Sequence, residues 1–363
     1  MTSGDNYKNL LMLYRVIEQQ YKLSQYTDEA LKTIQRSLDM ARKKLFDEIG
    51  YRDIIMPKDR VDMVLEELNN LTLGIQYQIS KDIQDAAVVA GEYSFRDYDA
   101  ILSFDGALAE TVGFNFTAIS SDQIRAMVVA VPVGGKLLEE WVQDTFDRRI
   151  IDEIQTAIMA DNFQGLSNPK IIRHMENAFG MIHSDAETLV RTYIQSINNQ
   201  AAESVYKANS DIVKRERWDA TFEVSTVAGS GTCMECAALH GREFPIDEPH
   251  IRPPKHPRCR CYMTPITLSY RDLGLDIGEL KTSLKPYTER DENRAILEAG
   301  QISGSFDDFL KSRDEHYQLN FLGTNRFRMW KAGEITVDDL ADKDGNLRLL
   351  KKDGDGNYVG LDK

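Results

Sequence analysis

The chain has 363 residues, a formal net charge of −14 and 42% hydrophobic residues, a globular profile long enough for two or three domains. The acidic balance argues against sequence-independent binding of DNA or an anionic membrane through the whole surface. No apolar run approaches the ~20 residues of a membrane helix, and Met1 to Asn6 show no secretory pattern, so a reducing compartment with free thiols is expected.

Leu10, Leu13, Tyr14, Ile17 and Tyr21, then Leu31, Ile34, Leu38, Ala41 and Leu45, recur at three- and four-residue steps and predict helix from Tyr7 to Ile49. Pro57 breaks the pattern. Asp59 is the expected cap of a helix carrying Val61, Val64, Leu65, Leu68 and Leu71, and Ile75 to Ala90 reads as another. Glu92 to Ser121 reads as short helices and loops. A long apolar stripe follows from Leu137 through Trp141, Val142, Phe146, Ile150 and Ile154 to Ile158.

Pro169 suits the first turn of a short helix that ends at Gly180. Ser184-Asp-Ala-Glu187 has the form of a capping box opening the next helix, which carries Leu189, Val190, Tyr193, Ile194, Ile197, Ala201 and Val205 on one face. Beyond Ser210 the period changes to alternation. Val213 to Val227 predicts one or two strands, with further short strands at Arg242–Phe244 and Tyr262–Ile266. Lys281 to Asn293 reads as a charged linker, followed by helices near Phe306–Lys311 and Arg326–Lys331. The expected fold class is α+β, predominantly helical: long helices plus a small β-rich module. The expected domains are an N-terminal helical arm (1–130), a core (131–280, with helices over 137–209 and the β module over 213–268) and a C-terminal extension (281–363).

All four cysteines lie in that β module, as Cys233-Met-Glu-Cys236 and Cys259-Arg-Cys261, with Pro253-Pro254-Lys255-His256-Pro257-Arg258 leading into the second pair. Two local pairs joined by a loop are what tetrahedral zinc requires, and a Cys-x-Cys disulfide would be strained. A structural zinc knuckle is therefore expected. Cys233, Cys236, Cys259 and Cys261 are its first-choice ligands, and His256 is the alternative to one sulfur. A closed four-sulfur site leaves no position for an activated water. His240 and His250 stand in the same window, but no His-Asn-His pattern accompanies them, so they are expected to be solvated loop residues rather than nuclease groups.

Other motifs carry less. Asp342-Lys-Asp344-Gly-Asn346 and Asp353-Gly-Asp355-Gly-Asn357 begin like calcium loops but lack the glycine at position 6 and the glutamate at position 12, and read as tight turns. Gly134-Gly135-Lys136 lacks the rest of a phosphate loop. Arg313, Arg326, Arg328 and Lys331, with Phe327 and Trp330, form a basic cluster expected to be a solvated face over aromatic residues, with DNA contact as the lesser alternative.

Three stretches together resemble the Mu F-like minor head proteins of tailed bacteriophages, also called phage head morphogenesis proteins. The helix Ala186-Glu-Thr-Leu-Val-Arg-Thr192, continuing to Tyr206, is similar to the family's long helix. Cys233-Met-Glu-Cys-Ala-Ala-Leu-His-Gly-Arg-Glu-Phe244 resembles its Cys-x-x-Cys-x-x-Leu-x-Gly-x-x-Phe, with His240 where many relatives have Asp. Lys255-His-Pro-Arg-Cys-Arg-Cys261 resembles its His-Pro-x-Cys-Arg-Cys. Phe306 to Lys311 and Phe321 to Ile335 look like the segment that follows the core in many members, so the resemblance spans about Leu137 to Leu350. It implies a non-enzymatic structural virion protein inside the capsid or at the portal vertex, binding the portal or the major capsid protein during head assembly. A zinc-containing nuclease and a DNA-binding internal head protein are the competing readings.

Overall fold

A computed structural model describes residues 7–50, 56–103, 120, 122–123, 126, 130, 132–133, 135–146, 154–164, 167–223, 231–269, 271–272, 285–290, 296–302, 305–354, 356 and 358–362. The class is α+β and mainly helical. In chain order come α1 (Tyr7–Ile49), α2 (Lys58–Ser103), α3 (Leu138–Phe146), α4 (Gln155–Phe163) and α5 (Asn168–Ala208). Strands β1 (Val213–Asp219) and β2 (Phe222–Glu223) precede α6 (Met234–Leu239), β3 (Glu243–Pro245) and β4 (Tyr262–Thr267). Then follow β5 (Lys285–Arg290), β6 (Ile296–Ile302), α7 (Phe306–Lys311), α8 (Glu315–Lys331), β7 (Leu350–Lys352) and β8 (Tyr358–Leu361). Among the described residues no helix is long and apolar enough to cross a membrane.

Two compact units emerge from the packing: residues 23–92 with 120–198, and residues 1–22, 93–119 and 199–363. The first is a helical unit. Leu31, Ile34, Leu38, Leu45 and Ile49 of α1 share one core with Val64, Leu68, Ile79 and Ile83 of α2 and with Ile171, Met175, Ile182, Ala186 and Val190 of α5. Gly50, at φ 75°, closes the end of α1 by donating its N–H to Phe46 O, and Asn168 Nδ2 donates to Ile49 O at 2.7 Å. Both are helix-end carbonyls that the helix itself leaves unpaired.

Several expectations change. The two helices expected between Pro57 and Ala90 are one, and it runs on to Ser103; Asp59 lies in its first turn rather than at its cap. The long apolar stripe from Leu137 appears as α3 and α4, and residues 147–153 between them lie outside the described residues, as do 104–119. Helix α5 does not stop at Gly180, and Ser184 caps nothing: it is mid-helix, and its carbonyl accepts from Thr188 Oγ1 at 2.8 Å. The local punctuation is overruled because Phe179, Ile182, Ala186 and Leu189 continue a single buried stripe through it.

The second unit builds a β module on the last turns of α5. Sheet order is β3-β1-β4, antiparallel throughout. Asn199 Nδ2 of α5 donates to Cys261 O (3.2 Å), and Tyr206 Oη donates to Met263 O (3.0 Å). From the start of α1, the Asn9 side chain accepts from both the N–H and the hydroxyl of Thr267, each at 3.1 Å. Trp218, Tyr206 and Tyr262 are buried there. The module thus shares a core with α5 rather than standing alone.

Strand β2 leaves that sheet to pair in parallel with β5, which pairs antiparallel with β6. The expected charged linker therefore contains a strand. Its side chains show no apolar alternation, and pairing on both edges supplies the backbone hydrogen bonds instead. Buried Phe222 carries α7 against the module, its ring 4.8 Å from Phe306 and 4.7 Å from Phe309. Helix α7 opens with a true capping box, Ser305 with Asp308. Helix α8 starts well before Arg326, at Glu315, and bends at Gly323, whose φ of 69° and ψ of 160° suit glycine.

Asp307 ties these helices together. It accepts from Trp330 Nε1 (2.7 Å), Val337 N (3.1 Å) and Lys311 Nζ (2.6 Å). Burial raises its pKa, but these donors outweigh burial and hold it below the ordinary carboxylate value. The basic cluster is in part the expected face over aromatic rings, with Arg328 and Lys331 exposed and Lys331 Nζ 5.4 Å from the Phe327 ring centre. But Arg326 donates to Arg348 O (3.0 Å), Arg328 donates to Tyr358 O (3.4 Å), and the Arg313 guanidinium lies 4.4 Å from the Phe309 ring centre.

Gly180→Ala should raise stability by ~0.5–1 kcal/mol in denaturant titration, because the site is exposed mid-helix with nothing within 4 Å of an added Cβ. A helix end at that point would reverse the sign. Asp307 has a depressed folded-state pKa, so its contribution is present above the unfolded carboxylate value of ~3.9 and lost as pH falls through the folded value. Asp307→Asn should be less stable than wild type at pH 7 and lose less on acidification, measured by urea unfolding at the two pH values.

Candidate metal centre

Cys233 is the N-cap of α6, with extended backbone (φ −77°, ψ 156°), and its Sγ accepts the Cys236 N–H at 3.3 Å. One helical turn thus places the Cys236 sulfur beside the Cys233 sulfur, with an amide already aimed at it. The other donors come from the loop before β4. Cys259 N donates to His256 O at 3.1 Å, Arg258 adopts φ 60°, and the Arg260 and Cys261 carbonyls accept from Thr221 Oγ1 (2.9 Å) and Asn199 Nδ2 (3.2 Å). That loop is pinned on both sides.

The five residues singled out in the sequence converge. His256 Nε2 lies 3.3 Å from Cys233 Sγ and 3.4 Å from Cys236 Sγ, and Cys236 Sγ lies 3.9 Å from Cys259 Sγ. Two triads, Cys233–Cys236–His256 and Cys236–Cys259–Cys261, share Cys236, with donor atoms within 4.8 Å of one another in each. Metal–sulfur bonds of about 2.3 Å and metal–nitrogen bonds of about 2.0 Å give a tetrahedron with edges of roughly 3.6–3.8 Å. The observed spacings fit such an ion. Cys236, Cys259 and Cys261 are buried and Cys233 is half-buried.

The charges support the same reading. Hydrogen bonding to Cys236 and the nearness of His256 outweigh burial and bring Cys233 down to about 5. Cys233 and Cys259 push His256 up to about 11. Cys259 is held well below the ordinary thiol value, first by its hydrogen bond to Cys236 and then by Cys261 and His256, whereas Cys236 and, through burial, Cys261 are driven above it. Two thiolates gathered round a cationic imidazole is the pattern of a site built to hold positive charge. The His256 Nδ1 lies 2.9 Å from Pro257 O, which orients the ring with Nε2 toward the sulfurs.

His240 and His250 are not solvated, contrary to expectation, and neither joins this cluster. His240 Nδ1 accepts the Ala220 N–H at 3.2 Å, and its ring lies 4.7 Å from that of Phe222. His250 stacks on Phe244 at 4.9 Å, with Nδ1 at Glu248 O and Nε2 at Glu216. Charged residues that sequence reading passed over lie beneath. Glu216, fully buried, binds both His250 and Arg252, and burial raises its pKa against their pull. Arg217 forks onto Asp219 (2.9 and 3.1 Å), which also accepts from Thr264 Oγ1 at 2.5 Å. The available signal was Lys-Arg-Glu-Arg-Trp-Asp, a charge-rich run placed as a central strand.

Asp342–Asn346 is a tight turn, as expected: Gly345 N donates to Asp342 O, and Ala341 bridges to Leu347. Its place was not foreseen. Arg242 donates to the carbonyls of Asp342 (2.7 Å), Ala341 (3.0 Å) and Asp338 (3.1 Å), and Leu347 N donates to Glu235 Oε1 (3.2 Å), tying the turn to the metal-site helix.

Residues 152–264 match the family model described as Phage Mu protein F like protein. This segment, under a third of the chain, is similar to the Mu F-like family. The match runs from just before α4 into β4 and encloses all five donors; it ends well short of Phe306, so the expected likeness of the later helices is outside it. No curated protein and no solved structure matches the chain.

Asp219→Ala should destabilise the Mu F-like module by about 3–5 kcal/mol, since it leaves the buried Arg217 guanidinium and Thr264 hydroxyl without their partner. Thermal unfolding at constant metal content is the measurement.

Proposed function

We propose that this chain is a structural minor head protein of a tailed phage, whose metal-organised module binds the portal or the inner capsid during head assembly. The observation that carries the reading is the convergence of Cys233, Cys236, His256, Cys259 and Cys261 inside the segment that matches the Mu F-like family. Zinc fits these donors best: thiolates, alone or with imidazole, are its usual structural ligands. When bound, the ion supplies a cross-link between the start of α6 and the loop at 256–261.

Five donors exceed the four that zinc takes. The geometry favours Cys233, Cys236, Cys259 and His256, because Nε2 sits against two sulfurs while Nδ1 is oriented by Pro257 O. Cys261, whose sulfur lies within 4.8 Å of those of Cys236 and Cys259, then stays a buried thiol. The four-sulfur set with Cys261 in place of His256 is the competing assignment. Either set closes the site to water, which supports a structural ion and a binding role. The nuclease reading needs His240 or His250 as a base, and their ring nitrogens serve the fold. The DNA-binding reading needs the arginines of α8, and Arg326 and Arg328 each donate to a carbonyl of the C-terminal segment. The reading places the protein in the virion, at the capsid interior or portal vertex.

Elemental analysis of purified protein should give one zinc per chain, lost in Cys233→Ser and Cys259→Ser, weakened at least tenfold in His256→Ala, and kept in Cys261→Ser. Loss in Cys261→Ser with retention in His256→Ala would establish the four-sulfur set. Absence of zinc from wild type would remove the metal reading. Co-sedimentation of the zinc-loaded chain with assembled portal and with empty capsid shells tests the partner, and failure to bind either overturns the assembly role.

A further inference from the structure

The Asp342–Asn346 turn sits between the two stretches that supply the metal donors. Gly345 adopts φ +76°, and a Cβ added there would lie 2.8 Å from Ile251 Cδ1 and 3.1 and 3.3 Å from the methyls of Leu239. Leu239 stands one turn beyond Cys236 on α6, and Ile251 stands on the loop that leads to His256. Glu235, between Cys233 and Cys236, accepts the Leu347 N–H, and Lys255, next to His256, reaches Asn346 Oδ1 (3.4 Å) and Glu235 Oε2 (3.9 Å). One wall of the slot therefore belongs to the Cys233–Cys236 side and the other to the His256 side.

The turn itself is self-supporting. Asp342 Oδ1 accepts from Asp344 N (2.9 Å) and Asn346 N (2.8 Å), so it holds hydrogen bonds of its own apart from those to the slot. Helix α7 is held differently, through Phe222 on β2, and touches neither wall in this way. From these contacts we infer that the module is a receptor for its own C-terminal turn, and that metal binding controls whether residues 341–348 dock.

The inference rests on the metal reading above. An ion shared by α6 and the 256–261 loop would link the stretch carrying Leu239 to the one leading from Ile251, and at the observed spacing a side chain at Gly345 would meet the methyls of both. Without the ion that cross-link is absent, and the two walls are free to move apart. Linkage makes the coupling reciprocal: if metal promotes docking, docking tightens metal by the same factor. The Asp-Lys-Asp-Gly-Asn sequence is on this account a docking turn and not a cation loop.

Two variants of the full chain test it. Gly345→Ala fills the slot from the turn side, and Arg242→Gln removes the carbonyl contacts at Asp338, Ala341 and Asp342 without touching Leu239 or Ile251. Zinc affinity, measured by competition with a chromophoric chelator, should fall about tenfold in each, within the usual range of coupling between sites. Hydrogen exchange of wild type should show residues 341–348 losing about tenfold protection when zinc is stripped, while Phe306–Lys311 keeps its own. Zinc affinities within twofold of wild type in both variants would overturn the coupling, as would equal exchange at 341–348 with and without zinc. Equal loss over 306–311 and 341–348 would overturn it too, since the two would then open as one unit. Wild type that takes up no zinc at all fails at the earlier step and removes the metal reading itself.

Discussion

Sulfur atoms and an imidazole gathered in two triads, with donor atoms within 4.8 Å of one another in each and mostly out of water, carry charge that burial makes costly unless opposite charge lies among them. That constraint organises the Mu F-like segment. It explains why the Cys-x-x-Cys turn caps a helix, why a threonine and an asparagine pin the return loop, and why His256 is turned by Pro257 O toward the sulfurs. Each of these contacts fixes a donor before any ion arrives. The order lost on binding is correspondingly small.

The module has cohesion that owes nothing to a metal. Tyr206 and Asn199 bring the end of α5 onto β4 and the loop before it, and Asn9 at the start of α1 holds the other end of β4. A three-stranded sheet of short strands buries little by itself. Sharing a core with a long helix supplies the missing apolar contact, with Trp218, Tyr206 and Tyr262 buried. The same device recurs further on, where Phe222 is the anchor for Phe306 and Phe309.

Much of this was legible in the sequence, and the reasons differ from place to place. The bounds of α1, the donor residues and the α7 helix follow from periodicity and spacing, which are local properties. Gly180 and Ser184 misled because capping signals are weak, on the order of 1 kcal/mol, and the buried stripe of α5 outweighs them. His240 and His250 looked solvated because nothing local marks a histidine that ends up against Phe222 or Glu216. The partners of Arg242 lie about a hundred residues away, beyond any spacing argument. The strand at Lys285–Arg290 was hidden by its charges, since pairing on both edges is a property of its neighbours.

The central strand β1 has one more consequence. It carries Glu216 against His250 and Arg252, Arg217 against Asp219, and Trp218 into the core, all within four residues. Sliding the strand by one residue would send these groups to the opposite face, parting Glu216 from His250 and Arg252 and Asp219 from Thr264, while Arg217 and Asp219, both on the strand, would move together. A sheet with an apolar centre tolerates such errors by repacking, whereas this one has a single permitted alignment. Alignment is thus written in ion pairs, and an ion held at the cysteines would have only to close loops on that frame.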